Sequence, residues 1–377
     1  MPAATTTAAR ARLRFHTLTV AAVEPVAADG SAVAVTLRVP DGLRGEFAFV
    51  PGQHVTVAAT VGGAAVRRSY SLCSVPDELD ERGTLRIGVR VVPGGVFSTY
   101  AARSLAPGDT LDVLPPVGAF GTRFDSARRR RYAAIAGGSG ITPVLSLVRA
   151  GLATEPDSTF TLLYGNRTAD SVMFADELAD LKDRHPRRLH LVHAFSRENP
   201  RLGLGQGRLD AARLAAVLPS VLPPGGVSEW FLCGPAGLVR DARRVLSRHG
   251  AGDAAVHAEF FHPDEPAERA PRSPAPPRAP VAGAGTRELC VVLEGRATTV
   301  RAAEGQTILD AALAARPELP YSCRNGVCAT CRARVVEGRA VMSDHWALTD
   351  EEVAAGYVLT CRAVPETEQV TVDFDMV

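Results

Sequence analysis

Near the C-terminus the stretch YSCRNGVCATC, residues 321–331, holds three of the seven cysteines, and Cys361 follows after 29 intervening residues. The spacing Cys323-x4-Cys328-x2-Cys331, completed by Cys361, is restrictive, because four thiols must meet around a loop that curls back on itself. It is the ligand spacing of a [2Fe–2S] cluster, in which each iron takes two thiolates. Gly326 relaxes the backbone where the loop curls, and the small residues Ser322, Ala329 and Thr330 leave room around the thiols. The alternative is a structural zinc site. Zinc ligands usually come as two short C-x2–4-C knuckles, whereas Cys361 stands alone in VLTCRA. The preceding EGQTILDAALAARPELPYSC reads as a capped helix leading into the loop, as in a small α+β domain of β-grasp type. An odd number of cysteines in a chain this long makes a poor disulfide framework, and the cytoplasm is the expected compartment.

A chain of 377 residues is too long for one ordinary core, so several domains are expected. Residues 263–285, PDEPAERAPRSPAPPRAPVAGAG, are rich in Pro and Ala and read as an extended tether. After it, residues 286–377 form the cysteine-bearing domain. Residues 13–125 show short alternating runs broken by Gly and Pro, such as SAVAVTLRVP and TLRIGVRVV, the pattern of an antiparallel β-barrel. Residues 126–262 alternate continuous apolar strands (YAAIAG, TFTLLYG, RLHLVHAF, EWFLCG, AAVHAEFF) with helical stretches such as VMFADELADLKDRH. That is an α/β doubly wound parallel sheet. Residues 1–12 lack the apolar core of a secretory signal and read as a disordered lead-in. With 42 basic and 41 acidic residues, bulk charge gives no support for a nucleic-acid partner. No apolar run approaches the ~18 residues of a membrane span.

Two further motifs suit nucleotide cofactors. In RRSYSLCS, Arg68 can supply a cation to a phosphate and Tyr70 a ring to a flavin. Gly94-Gly95-Val96-Phe97-Ser98 sits at a strand-to-helix turn, where backbone N–H groups can hold phosphate oxygens. YAAIAGGSGITPVLSLVRAG reads as strand, glycine turn and helix. Gly137, Gly138 and Gly140 open the backbone to a pyrophosphate, Thr142 is placed to cap the helix, and Pro143 suits its first turn. Cys233-Gly234-Pro235 ends a buried strand, where open α/β sheets bind ligands. Cys73 reads as a small buried residue. His54, His257 and His262 read as surface histidines.

These motifs, in this order, resemble the ferredoxin–NADP reductase superfamily, and residues from Arg287 onward resemble plant-type ferredoxins. The resemblance implies that Arg68, Tyr70 and Ser71 contact FAD (FMN being the alternative) and that Gly95 and Ser98 meet its pyrophosphate. It implies that the Gly-Gly-x-Gly-Ile-Thr-Pro turn binds the nicotinamide cofactor and that Cys233, Gly234 and Pro235 lie beside the nicotinamide. Cys233 and Glu259 would stand closest to the chemistry, with Phe260 near the flavin ring. Arg167, Ser196 and Arg197 offer cations and a hydroxyl where an NAD site usually offers an acid, which points to NADPH, with NADH as the alternative. Flavin would then convert a hydride pair into single electrons for the cluster. The order flavin, nicotinamide, ferredoxin resembles the reductase components of bacterial multicomponent oxygenases, so a partner oxygenase is expected. Within that group LLYGNRTADSVMFADELADLKDRHP, SRE and CGPAGLV are most like the phenylacetyl-CoA epoxidase reductases. The alternatives are an NADH-fed reductase of a Rieske-type oxygenase such as 3-ketosteroid hydroxylase, a redox sensor, and an oxygenase in its own right.

Overall fold

The computed structural model describes residues 14–198, 207–222, 226–262, 286–342 and 345–376. The expected lead-in and tether lie outside the described residues. Two compact units make up the chain, one built from the two nucleotide-type domains and one from the C-terminal domain with short N-terminal pieces.

The first domain contains β1 (His16–Pro25), β2 (Ala32–Arg38), β3 (His54–Val61), β4 (Ala64–Ser71), β5 (Thr84–Arg90) and β6 (Thr110–Val113). They form one sheet in the order β4-β3-β6-β1-β2-β5. A bridge between Leu72 and Ile87 carries the end of β4 back to β5, so the sheet closes on itself and its edge strands are covered. Alternate residues such as Leu18, Val35, Leu37, Val57, Ile87 and Val113 fill the interior. Helix α1 (Pro76–Arg82), which the alternating pattern does not announce, starts at a proline and stops at Gly83, whose φ of 64° suits only glycine well. Helix α2 (Val96–Arg103) begins directly after Gly94-Gly95, as the sequence suggests.

The second domain is a parallel sheet of β7 (Arg131–Gly137), β8 (Thr159–Asn166), β9 (Leu189–Phe195), β10 (Glu229–Pro235) and β11 (Val256–His262), ordered β11-β10-β7-β8-β9. Every neighbouring pair runs parallel. Helices α3 (Ile141–Thr154), α4 (Ala175–Arg184), α5 (Ala211–Val221) and α6 (Ala236–Arg248) connect the strands. The chain reverses its direction of travel at β7, which leaves a crevice at the carboxyl ends of β7 and β10. Helix α4 starts later than the apolar pattern suggests, because Phe174 takes φ 59° at its N-cap. The barrel fixes that residue: the Phe174 N–H donates to the Val26 carbonyl at 2.8 Å, and the Arg86 guanidinium lies 5.2 Å from its ring.

Glu155, fully buried, ties the segment between these domains to the sheet. Its carboxylate accepts hydrogen bonds from Tyr132 (3.0 Å), Ser158 (2.6 Å) and the Asp125 N–H (3.0 Å). Removing it strands two buried donors, the Tyr132 and Ser158 hydroxyls, and frees the Asp125 N–H at the surface. Glu155→Ala should therefore cost roughly 4 kcal/mol and lower the calorimetric midpoint of this unit by roughly 10 °C. Glu155→Gln, which keeps an acceptor, should lose about half as much; equal and small shifts for both variants would show that the carboxylate does not hold the segment.

The C-terminal domain holds β12 (Arg287–Leu293), β13 (Arg296–Ala302), β14 (Arg332–Glu337), β15 (Ala340–Met342), β16 (Tyr357–Leu359), β17 (Ala363–Pro365) and β18 (Gln369–Asp373), with α7 (Ile308–Ala312) and α8 (Asp350–Ala354). Its main sheet runs β13-β12-β18-β14-β16, and the β12–β18 pair is parallel. Thr307 caps α7 by accepting from the Asp310 N–H at 3.2 Å, as the sequence suggests. Ile308 and Leu309 join a core with Leu289, Val291, Val370 and Val372. A helix lying across a mixed sheet is the expected β-grasp arrangement.

Candidate functional site

The four cysteines of the C-terminal domain meet in two pairs. The Cys323 side chain is hydrogen-bonded to Cys328, and Cys331 to Cys361. Hydrogen bonding within each pair, then burial, holds the Cys323 and Cys331 thiols well above the ordinary thiol range. Thiols that resist ionisation alone, as those of Cys323 and Cys331 do, fit a cationic group that takes them as thiolates and releases their protons. The Asn325 N–H points at the Cys323 sulfur from 3.4 Å. The buried Ser322 hydroxyl finds no hydrogen-bond partner among the described residues. No three His, Cys, Asp or Glu side chains converge among the described residues as on a single ion. Two thiol pairs suit two irons. Gly326 has φ 76°, as its place in the curl requires, but Arg324 (57°) and Ala329 (51°) are left-handed too. Each of these costs about 1–2 kcal/mol in a non-glycine residue, so the loop is shaped by its closure and not by local preference. Arg324 is steadied by Asp310 at 3.4 Å and by the Tyr321 ring at 4.9 Å.

In the barrel, β4 carries Arg68 and Tyr70 on one face, since alternate residues of a strand point the same way. The Tyr70 ring lies 5.5 Å from Phe97, the first large residue of α2. Burial raises its phenol above the usual range, so Tyr70 is a neutral ring and hydrogen-bond donor. The Arg68 guanidinium donates to the Arg67 carbonyl at 2.8 Å. At the start of α2, Ser98 accepts from the Val92 N–H (3.2 Å) and donates to the Gly95 carbonyl (3.3 Å). Its hydroxyl thus ties the glycine turn together from inside. A Cβ on Gly95 would sit 2.5 Å from that hydroxyl, so the turn keeps bare backbone at the helix start.

The glycines after β7 divide into two kinds. A Cβ on Gly137 would come within 2.6 Å of Leu238, and one on Gly140 within 2.2 Å of the Cys233 carbonyl oxygen. These two are required by close packing against the end of β10 and the start of α6. Gly138, with φ 54° and nothing within 4 Å of its Cβ position, is the one that leaves open space over the turn. Its carbonyl accepts from the Tyr164 hydroxyl at 2.9 Å. Thr142 does not cap α3: Gly140 occupies the N-cap, and the Thr142 hydroxyl, already inside the first turn, donates back to the Ser139 carbonyl at 3.0 Å.

The ends of β10 and β11 meet β4 of the barrel. Cys233 and Glu259 are register neighbours, Glu259 Oε2 accepts from Ser71 Oγ at 3.2 Å, and Cys233 Sγ lies 3.8 Å from the same oxygen. Burial and then the Glu259 charge push the Cys233 thiol well above the ordinary range. It is held as a thiol and is no nucleophile. Phe260 is buried next to this pair. Cys73 is buried as expected, and its thiol, pushed up to about 12 chiefly by burial, donates to the Arg86 carbonyl at 3.3 Å. Two histidines that read as surface residues are not. His54 is only 4% exposed, with Nδ1 3.7 Å from Glu259 Oε1. His257 is half-buried, stacked on Phe231 at 5.0 Å and bonded to Glu229 at 3.1 Å. The start of β3 is buried on both faces, and His257 is covered by Phe231 and Glu229 of the neighbouring strand, neither of which an isolated alternating pattern reveals.

Past β8 and β9 the backbone pairing continues, with Ser196 N–H to the Asn166 carbonyl (3.0 Å) and Arg197 N–H to the Arg167 carbonyl (2.9 Å). This brings exposed Arg167, Ser196 and Arg197 to one place at the carboxyl end of the sheet. The acid of the same loop, Glu198, accepts from the Ala169 N–H.

Residues 17–121 match the oxidoreductase FAD-binding domain family, residues 134–244 the oxidoreductase NAD-binding domain family, and residues 291–366 the 2Fe-2S iron–sulfur cluster binding domain family. Over 364 residues the chain is 42% identical to a subunit of 1,2-phenylacetyl-CoA epoxidase from Escherichia coli (strain K12), an alignment covering 96% of this chain and 98% of the relative. The chain belongs to the ferredoxin–NADP reductase superfamily, in the branch with a C-terminal [2Fe–2S] domain. It is similar as well to the ferredoxin reductase component of 3-ketosteroid-9-alpha-monooxygenase from Rhodococcus rhodochrous, 34% identical over 95% of this chain and 96% of the relative. Among solved structures, phthalate dioxygenase reductase shares the fold, with a TM-score of 0.57 at 22% identity over 96% of this chain and 98% of that one. This family member is an NAD(P)H-dependent oxidoreductase with domains for FAD, a nicotinamide nucleotide and a [2Fe–2S] cluster. Among the described residues no helix is long and apolar enough to cross a membrane.

Proposed function

We propose that the chain takes electrons from NADPH and delivers them, through FAD and the [2Fe–2S] cluster, to a cytoplasmic oxygenase, and that this oxygenase is the phenylacetyl-CoA epoxidase. The observation that carries this reading is the near full-length 42% identity to a subunit of that enzyme, against 34% for the ketosteroid reductase component. When bound, the flavin supplies the conversion of a hydride pair into single electrons, and the cluster carries them singly.

The chain's own residues would bind and orient. Cys323, Cys328, Cys331 and Cys361 supply the thiolates. Arg68 holds a flavin phosphate, and Tyr70 and Ser71 border the ring. The bare turn at Gly95, braced by Ser98, offers N–H groups to the pyrophosphate. Gly138 leaves room for the nicotinamide nucleotide, while Gly137, Gly140 and Thr142 shape the turn under it. Cys233, Gly234 and Pro235 border the nicotinamide, and Glu259 and Phe260 stand at the flavin. In this reading residues 13–125 bind FAD, 126–262 bind the nicotinamide nucleotide, and 263–285 tether the ferredoxin-type domain of 286–377.

The choice of NADPH rests on Arg167, Ser196 and Arg197 at one sheet end, with Glu198 engaged by backbone. Arginine can pair with a 2′-phosphate, which NADH lacks. Arg197→Ala should raise the KM for NADPH about tenfold and leave that for NADH within about twofold, as expected for one lost charge-assisted contact. Equal changes would put Arg197 away from the 2′-phosphate.

The proposal as a whole is tested by mixing the purified protein anaerobically with NADPH or NADH, then with the epoxidase oxygenase and phenylacetyl-CoA. Flavin bleaching, cluster reduction and epoxide formation in sequence are expected. Fast reduction without any epoxide, together with turnover by a 3-ketosteroid hydroxylase, would move the partner to the second reading.

A further inference from the structure

Glu259 is held from two sides. Its Oε2 faces Ser71 Oγ at 3.2 Å and Cys233 Sγ at 3.8 Å, and its Oε1 faces His54 Nδ1 at 3.7 Å. The three flanking residues come from three different strands, β4, β10 and β3. His54 itself has little freedom. It lies opposite Ser71 in the β3–β4 ladder, and its backbone N–H and carbonyl are both bonded to Val117 at 2.9 Å. Gly118 covers the ring so closely that a Cβ there would stand 3.0 Å from Nδ1. Gln53, next in sequence, is occupied with the Val50 N–H and the Gly118 carbonyl. Glu259 is a charged group facing His54, and Ser71 and Cys233 stand on the far side of the carboxylate.

The Glu259 side chain is 12% exposed and that of His54 5%. A carboxylate withdrawn from water to this extent tends to take up a proton, and an opposite charge within 4–6 Å prevents it. We propose that His54 is a positioning residue for Glu259: as an imidazolium it keeps the carboxylate ionised and turned, so that Oε2 stays with Ser71 and Cys233 where the two nucleotide domains meet. This rests on the reading that Glu259 stands beside the flavin. Its consequence is a titration of local charge. With His54 protonated, the pair is neutral overall. Once His54 loses its proton, the pair carries one net negative charge beside the flavin, which disfavours adding electrons there.

The test uses the holoprotein and follows the flavin midpoint potential against pH by spectroelectrochemistry, with FAD content and the thermal midpoint measured on the same samples. The native protein should show a break in the plot where His54 titrates. His54→Gln should abolish that break with FAD retained, and slow flavin reduction by NADPH about tenfold, within the range for residues of one polar network. In the Glu259→Gln background, His54→Gln should change nothing further at and above the pH of the native break. The same change in both backgrounds would mean that His54 acts without Glu259, and overturns the proposal. If Glu259→Gln alone leaves the break, the potential above it and the reduction rate as in the native protein, the placement of Glu259 at the flavin is what fails. Should His54→Gln lose FAD, the coupling is read from the His54 imidazole NMR titration: its midpoint should drop in Glu259→Gln, and an unmoved midpoint overturns the pairing.

Discussion

Cys328→Ala should abolish the absorbance and the reduced-state EPR signal of the cluster, while flavin reduction by NADPH keeps its native rate. Two features make this variant selective. Cys328 is a partner of Cys323 in the loop. Cys328, Cys331 and Cys361 are all buried, but Cys331 and Cys361 pack into the contiguous core of the domain and Cys328 lies outside that cluster. Removing the Cys328 thiol takes away one of the four proposed ligands and leaves the sheet and α7 packed. Cys331→Ala, by contrast, should lose the cluster and also destabilise the domain, because a buried core contact goes with the ligand. Moreover, the flavin- and nicotinamide-type domains form a separate compact unit. Electron delivery to an external one-electron acceptor that accepts only from the cluster should fall to background. Iron and sulfide analysis, with stopped-flow reduction by NADPH, checks both halves. Native iron content in Cys328→Ala would remove Cys328 from the ligand set, and loss of flavin reduction would undo the separation of the two units.

The parts of this architecture that are legible in the sequence are those fixed by local chemistry. Cysteine spacing is one, because two thiolates per iron constrain the loop directly. The Thr307 cap and the glycine turn ahead of α2 are others, since their hydrogen bonds lie within a few residues. What stays hidden depends on distant partners. His54 reads as an ordinary alternating strand residue until β11 brings Glu259 against it. Phe174 adopts a left-handed conformation because the Val26 carbonyl claims its N–H, which shortens α4 at its start. Arg324 and Ala329 are driven to positive φ by closure of the cysteine loop, and neither residue type hints at it. Thr142 misleads for a related reason. A hydroxyl ahead of an apolar helical run suggests a cap, but a short turn over Gly138–Gly140 moves the helix start back by two residues.

The glycine turn after β7 yields the second large effect, because the two kinds of glycine should fail differently. At Gly140 an added Cβ would stand 2.2 Å from the Cys233 carbonyl oxygen and 2.5 Å from its carbon. Both are backbone atoms, so no rotamer change relieves the clash, and β10 must move away from the turn. Overpacking of this kind costs about 3 kcal/mol. The displaced segment is the one that sets Cys233 beside Glu259. Gly140→Ala should therefore lower the thermal midpoint of its unit by several degrees, roughly 6–12 °C, and slow flavin reduction at saturating NADPH. At Gly138 the Cβ meets nothing within 4 Å, and only the φ of 54° resists substitution, at about 1 kcal/mol. The methyl group would project over the turn proposed to receive the pyrophosphate. Gly138→Ala should raise the KM for NADPH with a small change in melting. Calorimetry and stopped-flow reduction on both variants separate the two roles: one glycine serves the packing of β10, the other the access of the nucleotide. A Gly140→Ala protein that melts like the native one would mean that the end of β10 yields freely, and the register joining Cys233 to Glu259 would then not be what holds the two in place.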